Sequence, residues 1–397
     1  MKMERESSFM KKMTLISGLV LTSLIALSGC NNKKEEKTSE EEIVVNYSEE
    51  GNMATVTDSF NRKVTYDKTK TSRVVCLGAG ALRIYSYVGD IDKLVGVEQI
   101  DKEPFGVGTA LRPYYDVNKD FFATLPIVGQ GGPQAQAPEY EKLVDVNPDI
   151  IVSIYSSVET NNEITEKTNI PVIGIKQGGD AFFASEFKFS LKLLGKVFNK
   201  EEKADALISY LNKSKEDLAK RREGVKKVNA YAGCIGNWGR TNAYGTIANF
   251  PVFNYAGVNN VGDLLKGDAS SQFTIDAEKL IEANPEHIYL DGAGLTGFLD
   301  DYKINKNKYD VLDAFKNDEV YLLLPYNAYY TNIEIGLMST YYVGLTSYPE
   351  KFKDIKIEDK CNEILKAFLG KGSYKDLLEY STAYDGYGKL NLSELTK

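Results

Sequence analysis

A chain of 397 residues has room for roughly two domains, and 43% hydrophobic content with 33 glycines suits a globular body rather than a disordered or fibrous one. With 56 acidic against 48 basic residues, a net charge of −8, it argues against a nucleic-acid binder and against a basic membrane-surface patch. The sequence holds one histidine, so histidine-based catalysis fits poorly, and no GxSxG, HExxH or Cys-His pairing speaks for an enzyme.

In chain order, residues 1–29 read as a signal segment. Lys11 and Lys12 form a basic flank, and Thr14 to Leu27 is an apolar run, short of the ~20 residues of a spanning helix. It ends in Leu27-Ser28-Gly29-Cys30, which resembles a bacterial lipobox; by that resemblance Cys30 is lipidated and becomes the mature N-terminus. Residues 1–29 carry four basic and two acidic side chains, so their removal leaves a net −10. The long leader before Met10, which carries Glu4 and Glu6, allows Met10 or Met13 as the true start. Residues 30–50, polar and charged, read as a disordered tether.

Residues 53–67 have the pattern of a hairpin turning near Asn61, and Val74 to Leu77 that of a buried strand broken by Gly78-Ala79-Gly80. A helical segment follows at 81–88, then strands at 94–98 and from 125, and a Gly/Pro loop before Tyr140. Gly78, Gly80, Gly131 and Gly132 either let backbone approach a ligand or make turns. Arg83, early in its helix, reads as an ion-pair residue or a cleft residue.

Residues 140–151 read YEKLVDVNPDII and residues 277–288 read AEKLIEANPEHI, identical at six positions. The phrases lie 137 residues apart, far beyond a solenoid period of ~20–50 residues. Each encodes a short amphipathic helix, an Asn-Pro stop and a buried strand, because proline cannot continue a helix and disfavours helical geometry just before it. The duplication indicates two copies of one α/β lobe. Between them, residues 182–222 carry helical periodicity without proline, reading as a connecting helix broken near Asn199 and a second helix. Strand-like runs then recur at 228–236, in the second repeat and at 320–325, with a helix from Thr331 to Val343 and a tyrosine-rich tail. Strands alternating with helices imply parallel sheets. Cys76 and Cys234 fall in matched strand-like runs; with Cys361 they read as buried thiols, a disulfide being the alternative.

The segments VTDSFNRKVTYDKTKTSRVVCLG (56–78), YVGDIDKLVGVE (87–98), LPIVG (125–129), LLGKVFNKEEKADALI (193–208), YAGVNNVGDLL (255–265) and the two repeat phrases together resemble a substrate-binding protein of an ABC importer, in the iron-siderophore and cobalamin branch of the periplasmic binding proteins (class III). The resemblance runs in order over nearly all of 51–390. It implies two Rossmann-like α/β lobes with parallel sheets joined by one long rigid helix: an N-terminal lobe at 51–178, the connecting helix at 179–200, and a C-terminal lobe and tail at 201–397. It further implies a glutamate on each repeat helix that docks the permease, here Glu141 and Glu278. Relatives that bind bare zinc or manganese use several histidines with carboxylates, whereas His287 stands alone in a repeat strand and reads as structural.

Loops expected at the cleft carry Arg112, Tyr114, Tyr115, Trp238, Arg240, Tyr244, Tyr326, Tyr329 and Tyr330. Aromatic faces with polar tips and bidentate guanidinium groups suit a polar or anionic chelate with a broad organic shell. The expected function is therefore a lipid-anchored monomer on the extracytoplasmic face of the cell membrane, in the manner of a Gram-positive surface lipoprotein. It captures an iron chelate such as a ferric siderophore and delivers it to an ABC permease. It uses no cofactor, no directly ligated metal and no nucleic acid, and it touches the membrane through its anchor only. Cobalamin or haem as ligand, and a sensor lipoprotein on the same fold, are the alternatives.

Overall fold

The computed structural model describes residues 43–102, 111–132, 138–179, 181–236, 242–325, 327–379 and 386–391. Cys30 and the signal segment lie outside these residues. Among the described residues no helix is long and apolar enough to cross a membrane.

The described chain opens with an antiparallel sheet of β1 (Tyr47–Glu50), β2 (Met53–Thr57) and β3 (Lys63–Asp67). Asn61 turns the second hairpin at φ 60°, as the sequence indicates. β1 is a correction, because residues 47–50 belong to the stretch read as tether. Their side chains are largely exposed, so composition misses a strand held by backbone pairing from Tyr47↔Val56 to Glu50↔Met53. The Lys196 ammonium over the Tyr47 ring, 4.5 Å from its centroid, pins the strand further.

This sheet is clipped to the first lobe by Asp58. Its buried carboxylate accepts from the amides of Phe60 (2.9 Å), Arg62 (3.0 Å) and Gly174 (3.0 Å) and pairs with the Arg62 guanidinium at 2.7 Å. Arg62 in turn donates to the Val172 carbonyl at 2.7 Å. Gly174 is required here, since a Cβ would lie 2.6 Å from the Phe60 ring and 2.8 Å from Asp58.

The first lobe is built on parallel β4 (Val74–Leu77), β5 (Ile150–Ser153) and β6 (Val172–Gly174), every residue buried, as expected of strands covered on both faces. Bridges Val74↔Leu94 and Val97↔Ile127, both parallel, stand where the sequence indicates further strands. The helix Ala81–Val88 is buried along its whole length.

The chain passes from the first parallel sheet to the second through the helices Ser185–Val197 and Glu201–Arg221. Asn199 at φ 55° makes the break. The start is later than the sequence suggests: 181–183 form a 3₁₀ turn, and the Phe182 and Phe183 rings pack on Tyr255 at 5.5 and 4.6 Å. Gly195 is a contact point between the two helices. A Cβ there would stand 2.9 Å from Ala204 and 3.3 Å from the Glu201 backbone, so the two helices close on each other.

The second lobe carries β7 (Asn229–Gly233), β9 (Asn259–Asn260), β11 (His287–Asp291), β12 (Val320–Leu323) and β13 (Gly388–Lys389) in the order β13-β12-β11-β7-β9. All pair in parallel except the β13 edge. A two-stranded ribbon, β8 (Gly245–Ile247) with β10 (Gln272–Thr274), lies beside it. The helix Ile333–Ser347 is buried from Ile333 through Gly344, the mark of a helix with core on every side.

Tyrosines fill this lobe. Tyr289 stacks on Tyr321 at 5.2 Å, Tyr321 meets Tyr342 edge-on at 6.2 Å, and Tyr342 and Tyr374 stack on Tyr387 at 4.7 and 5.9 Å. His287 is half-buried, its Nδ1 3.2 Å from the Tyr289 hydroxyl. Burial holds its pKa below the usual value. Cys76, Cys234 and Cys361 are buried free thiols, so the disulfide alternative falls.

The Asp58 clip generates a direct expectation. Asp58→Ala takes the acceptor from three amides and from the part-buried Arg62 guanidinium, a change of the kind that costs ~3–5 kcal/mol. Urea unfolding should show a loss in that range; a loss under about 1 kcal/mol would mean that the clip is idle.

Candidate functional site

The two repeat phrases fold alike. The helices Tyr140–Asp145 and Ala277–Ala283 bury Leu143 and Leu280 and expose Glu141 and Glu278, Lys142 and Lys279, Val144 and Ile281. Each ends at an asparagine in left-handed geometry, Asn147 at φ 44° and Asn284 at φ 37°, followed by a buried proline. Asparagine tolerates this region better than other side chains, which releases the helix into the strand. The next residue is an acid that grips the first strand of its lobe. Asp149 accepts from the Ser72 and Arg73 amides at 3.0 Å each, and Glu286 accepts from the Asn229 amide at 2.8 Å. Among the described residues neither the Glu141 nor the Glu278 carboxylate is salt-bridged. Val144, 50% exposed, and Ile281, 37% exposed, sit one helical turn further on, so each lobe presents a carboxylate beside an apolar side chain.

A second feature lies where the loops at the carboxyl ends of the strands converge, the usual ligand position in such sheets. Glu98 ends the LVGVE segment and is 1% exposed. Its Oε2 accepts from the Gly78 amide at 3.0 Å and the Tyr329 hydroxyl at 2.9 Å. The Gly132 amide donates to the same hydroxyl at 3.0 Å. Gly78 (φ 90°) and Gly131 (φ 65°) are turn glycines that also clear space. A Cβ on Gly131 would stand 2.9 Å from Glu98 Oε2, and one on Gly78 would stand 3.0 Å from Ile154. Burial, then the nearby Asp101 charge, pushes the Glu98 carboxyl up to about 7.

Tyr329 comes from the loop after β12, so this contact ties the lobes together. The buried Arg83 does the same. Its Nη1 donates to the Thr331 carbonyl at 3.0 Å, and its Nη2 to those of Ala328 at 2.7 Å and Tyr329 at 3.0 Å. The Asn332 amide adds a bond to the Leu111 carbonyl at 2.7 Å, and Gln177 lies 3.5 Å from the Thr331 carbonyl.

Tyr329 and Tyr330 lie in the loop that meets the first lobe, Tyr329 at Glu98 and Tyr330 beside Gly80. Arg112, Tyr114 and Tyr115 do not face the cleft in this structure, contrary to the sequence reading. Arg112 is buried, donates to the Ile100 carbonyl and lies over the Tyr115 ring at 4.5 Å. Tyr114 is wholly buried with its hydroxyl on Asp101, because the short helix Pro113–Asp116 turns these side chains into the lobe. Tyr244 is half-buried and stacks on Tyr309 at 5.8 Å. Trp238, Arg240 and Tyr326 lie outside the described residues. Arg83 is a loop clamp rather than one half of a simple ion pair, and Glu98 has no counterpart among the sequence candidates. Its signal was an acid closing an apolar strand at the carboxyl end of a parallel sheet. A separate polar cavity of about 620 Å³, lined by Asp90, Asp116, Lys119 and Lys203 among others, opens at the opposite end of helix Ala81–Val88.

A family model described as periplasmic binding protein matches residues 74–326. The chain belongs to the periplasmic binding protein family. It is 22% identical over 291 residues to the petrobactin-binding protein YclQ of Bacillus subtilis, covering 71% of this chain and 80% of that one. It is 24% identical over 218 residues to YvrC of the same organism, named as an uncharacterized ABC transporter substrate-binding lipoprotein. That match takes in 55% of this chain and 62% of YvrC, so the chain spans less than two thirds of that relative's length. Among solved structures, a periplasmic solute binding protein from Veillonella parvula superposes with a TM-score of 0.64 at 17% identity, over 87% of this chain and 99% of that one. The molybdate-binding MolA of Haemophilus influenzae superposes with a TM-score of 0.61 at 20% identity, over 81% and 99%. These structures share the two-lobed fold. The family and these relatives are binding proteins of transport, not enzymes.

The buried Glu98 yields a pH expectation. Its pKa is raised from 4.5 to about 7 on folding, so between these values the folded protein keeps a proton that the unfolded chain has lost. Stability contributed by this group is full below about 4.5 and falls as pH rises toward about 7, by up to ~3 kcal/mol. Asp101, Asp116 and Glu334 shift the same way, so the wild-type slope is composite. Urea unfolding at pH 5 and pH 8 should show Glu98→Gln gaining on wild type at the higher pH; an unchanged difference would mean that Glu98 ionises without cost.

Proposed function

We propose that this chain is the substrate-binding protein of an ABC importer and that it holds an iron chelate between its lobes for delivery to the permease. The observation that carries the reading is the matched pair of repeat helices, each presenting a glutamate and an apolar neighbour, on a two-lobed body of the periplasmic binding protein family. Glu141 and Glu278 are the docking carboxylates, and Val144 and Ile281 supply apolar contact beside them. YclQ, named for petrobactin, supports a siderophore as ligand, as do Tyr329 and Tyr330 in the loop that meets the first lobe. The lipobox at Leu27 to Cys30 and the lipoprotein designation of YvrC support a lipid anchor at Cys30 on the extracytoplasmic face. The helix Ser185–Val197, free of proline and packed closely at Gly195, supports a cleft largely formed before the ligand arrives.

Tryptophan quenching with ferric siderophores, haem, cobalamin, molybdate and bare zinc tests the ligand. Tight binding is expected for a ferric chelate. Binding of zinc alone, with no response to any chelate, would sink the reading.

The docking assignment has its own test. Glu141→Ala with Glu278→Ala should leave ligand affinity unchanged and abolish uptake in cells that carry the permease. A tenfold loss of affinity, equivalent to about 1.4 kcal/mol, would move these residues into the ligand site.

A further inference from the structure

Among the described residues the Tyr329 hydroxyl meets an acceptor, Glu98 Oε2 at 2.9 Å, and a donor, the Gly132 amide at 3.0 Å. A hydroxyl, which donates and accepts through one atom, matches such a pair. The seat itself belongs to the first lobe. Gly78 holds Glu98 through its amide at 3.0 Å, and the Gly132 amide is aimed by a φ of 94°.

The tyrosine, by contrast, is delivered under strain. Tyr329 and Tyr330 are consecutive bulky residues at φ 52° and 73°, a region disfavoured for residues bearing a Cβ. The Arg83 clamp on the carbonyls of Ala328, Tyr329 and Thr331 and the Asn327↔Thr331 bridge hold the loop in that form. Backbone strain of this kind gathers at ligand clamps and switch regions, where it is released when the loop moves.

We propose that Tyr329 is a built-in stand-in for a ligand hydroxyl: its phenol occupies the Glu98–Gly132 seat until an uncoordinated hydroxyl on the ligand takes its place. This rests on the cleft being the ligand site. It adds a specificity rule. A ligand that displaces Tyr329 without supplying a hydroxyl leaves the Gly132 amide without its acceptor and the buried Glu98 carboxyl with one donor fewer, Gly78 alone remaining on Oε2, and such loss discriminates against the deficient ligand.

The first test needs no chelate. Tyr329→Ala removes the phenol, and p-cresol should then raise the melting temperature of the variant while toluene, the same ring without the hydroxyl, raises it clearly less. Adding Glu98→Leu should erase the difference. Equal effects of the two compounds, or no effect of p-cresol, would overturn the proposal.

Tyr329→Phe keeps the ring and serves if the alanine variant does not fold. It should bind a ferric tris-hydroxamate bearing one uncoordinated hydroxyl about fivefold more tightly than wild type, the worth of one hydrogen bond. The O-methyl ether of that chelate should show no gain. An equal change for both would also overturn the proposal. If p-cresol rescues but no ferric chelate binds any variant, the seat stands and the iron-chelate reading fails.

Discussion

A guanidinium with no access to water must find carbonyl oxygens, and Arg83 finds three in one loop. That requirement organises the junction of the lobes. Arg83 belongs to a helix buried in the first lobe, whereas Ala328, Tyr329 and Thr331 follow the last long strand of the second. Removing the guanidinium would take a donor from three loop carbonyls, and removing the loop would leave a buried cation. Neither lobe satisfies its own groups here, so the junction forms as a unit. The position of Tyr329, the pairing of Glu98 and the left-handed backbone at 329–330 all follow from it.

Much of this architecture was legible in the residues because its signals are local. Asn-Pro after a short amphipathic run specifies helix, stop and strand with no knowledge of the rest, and both copies fold that way. The break at Asn199 and the turn at Asn61 were equally readable, since asparagine accepts positive φ. β1 was not readable. An exposed edge strand made of Tyr-Ser-Glu-Glu has neither apolar alternation nor β-branched residues, and only its pairing with β2 defines it.

The cleft was harder to read for a different reason. Its chemistry arises from residues far apart in the chain: Gly78, Glu98, Gly132 and Tyr329 have no shared motif. With 26 tyrosines in the chain, a tyrosine in a loop carries little information. Several of those described stack within the second lobe, and Tyr114 hides its hydroxyl on Asp101. The arginines misled similarly. Arg112 has the chemistry of an anion clamp, but burial commits it to a carbonyl and an aromatic face, while Arg83, which reads in sequence as an ion-pair or cleft residue, bonds the loop of the second lobe. Side-chain type states what a residue can do; which partner claims it is decided by packing.

The acids that follow the two Asn-Pro stops have a wider consequence. Asp149 reaches the amides that open β4, and Glu286 the amide that opens β7. Each repeat helix is thereby indexed to the first strand of its own sheet, not to the loops that shape the cleft. The separation of the two surface carboxylates behaves as a ruler engraved in the sheets. If, as proposed, the carboxylates dock a permease and the cleft holds the cargo, mutations that recut the cleft would leave that ruler untouched, and the fit to a transport partner and the choice of cargo would diverge independently within one chain.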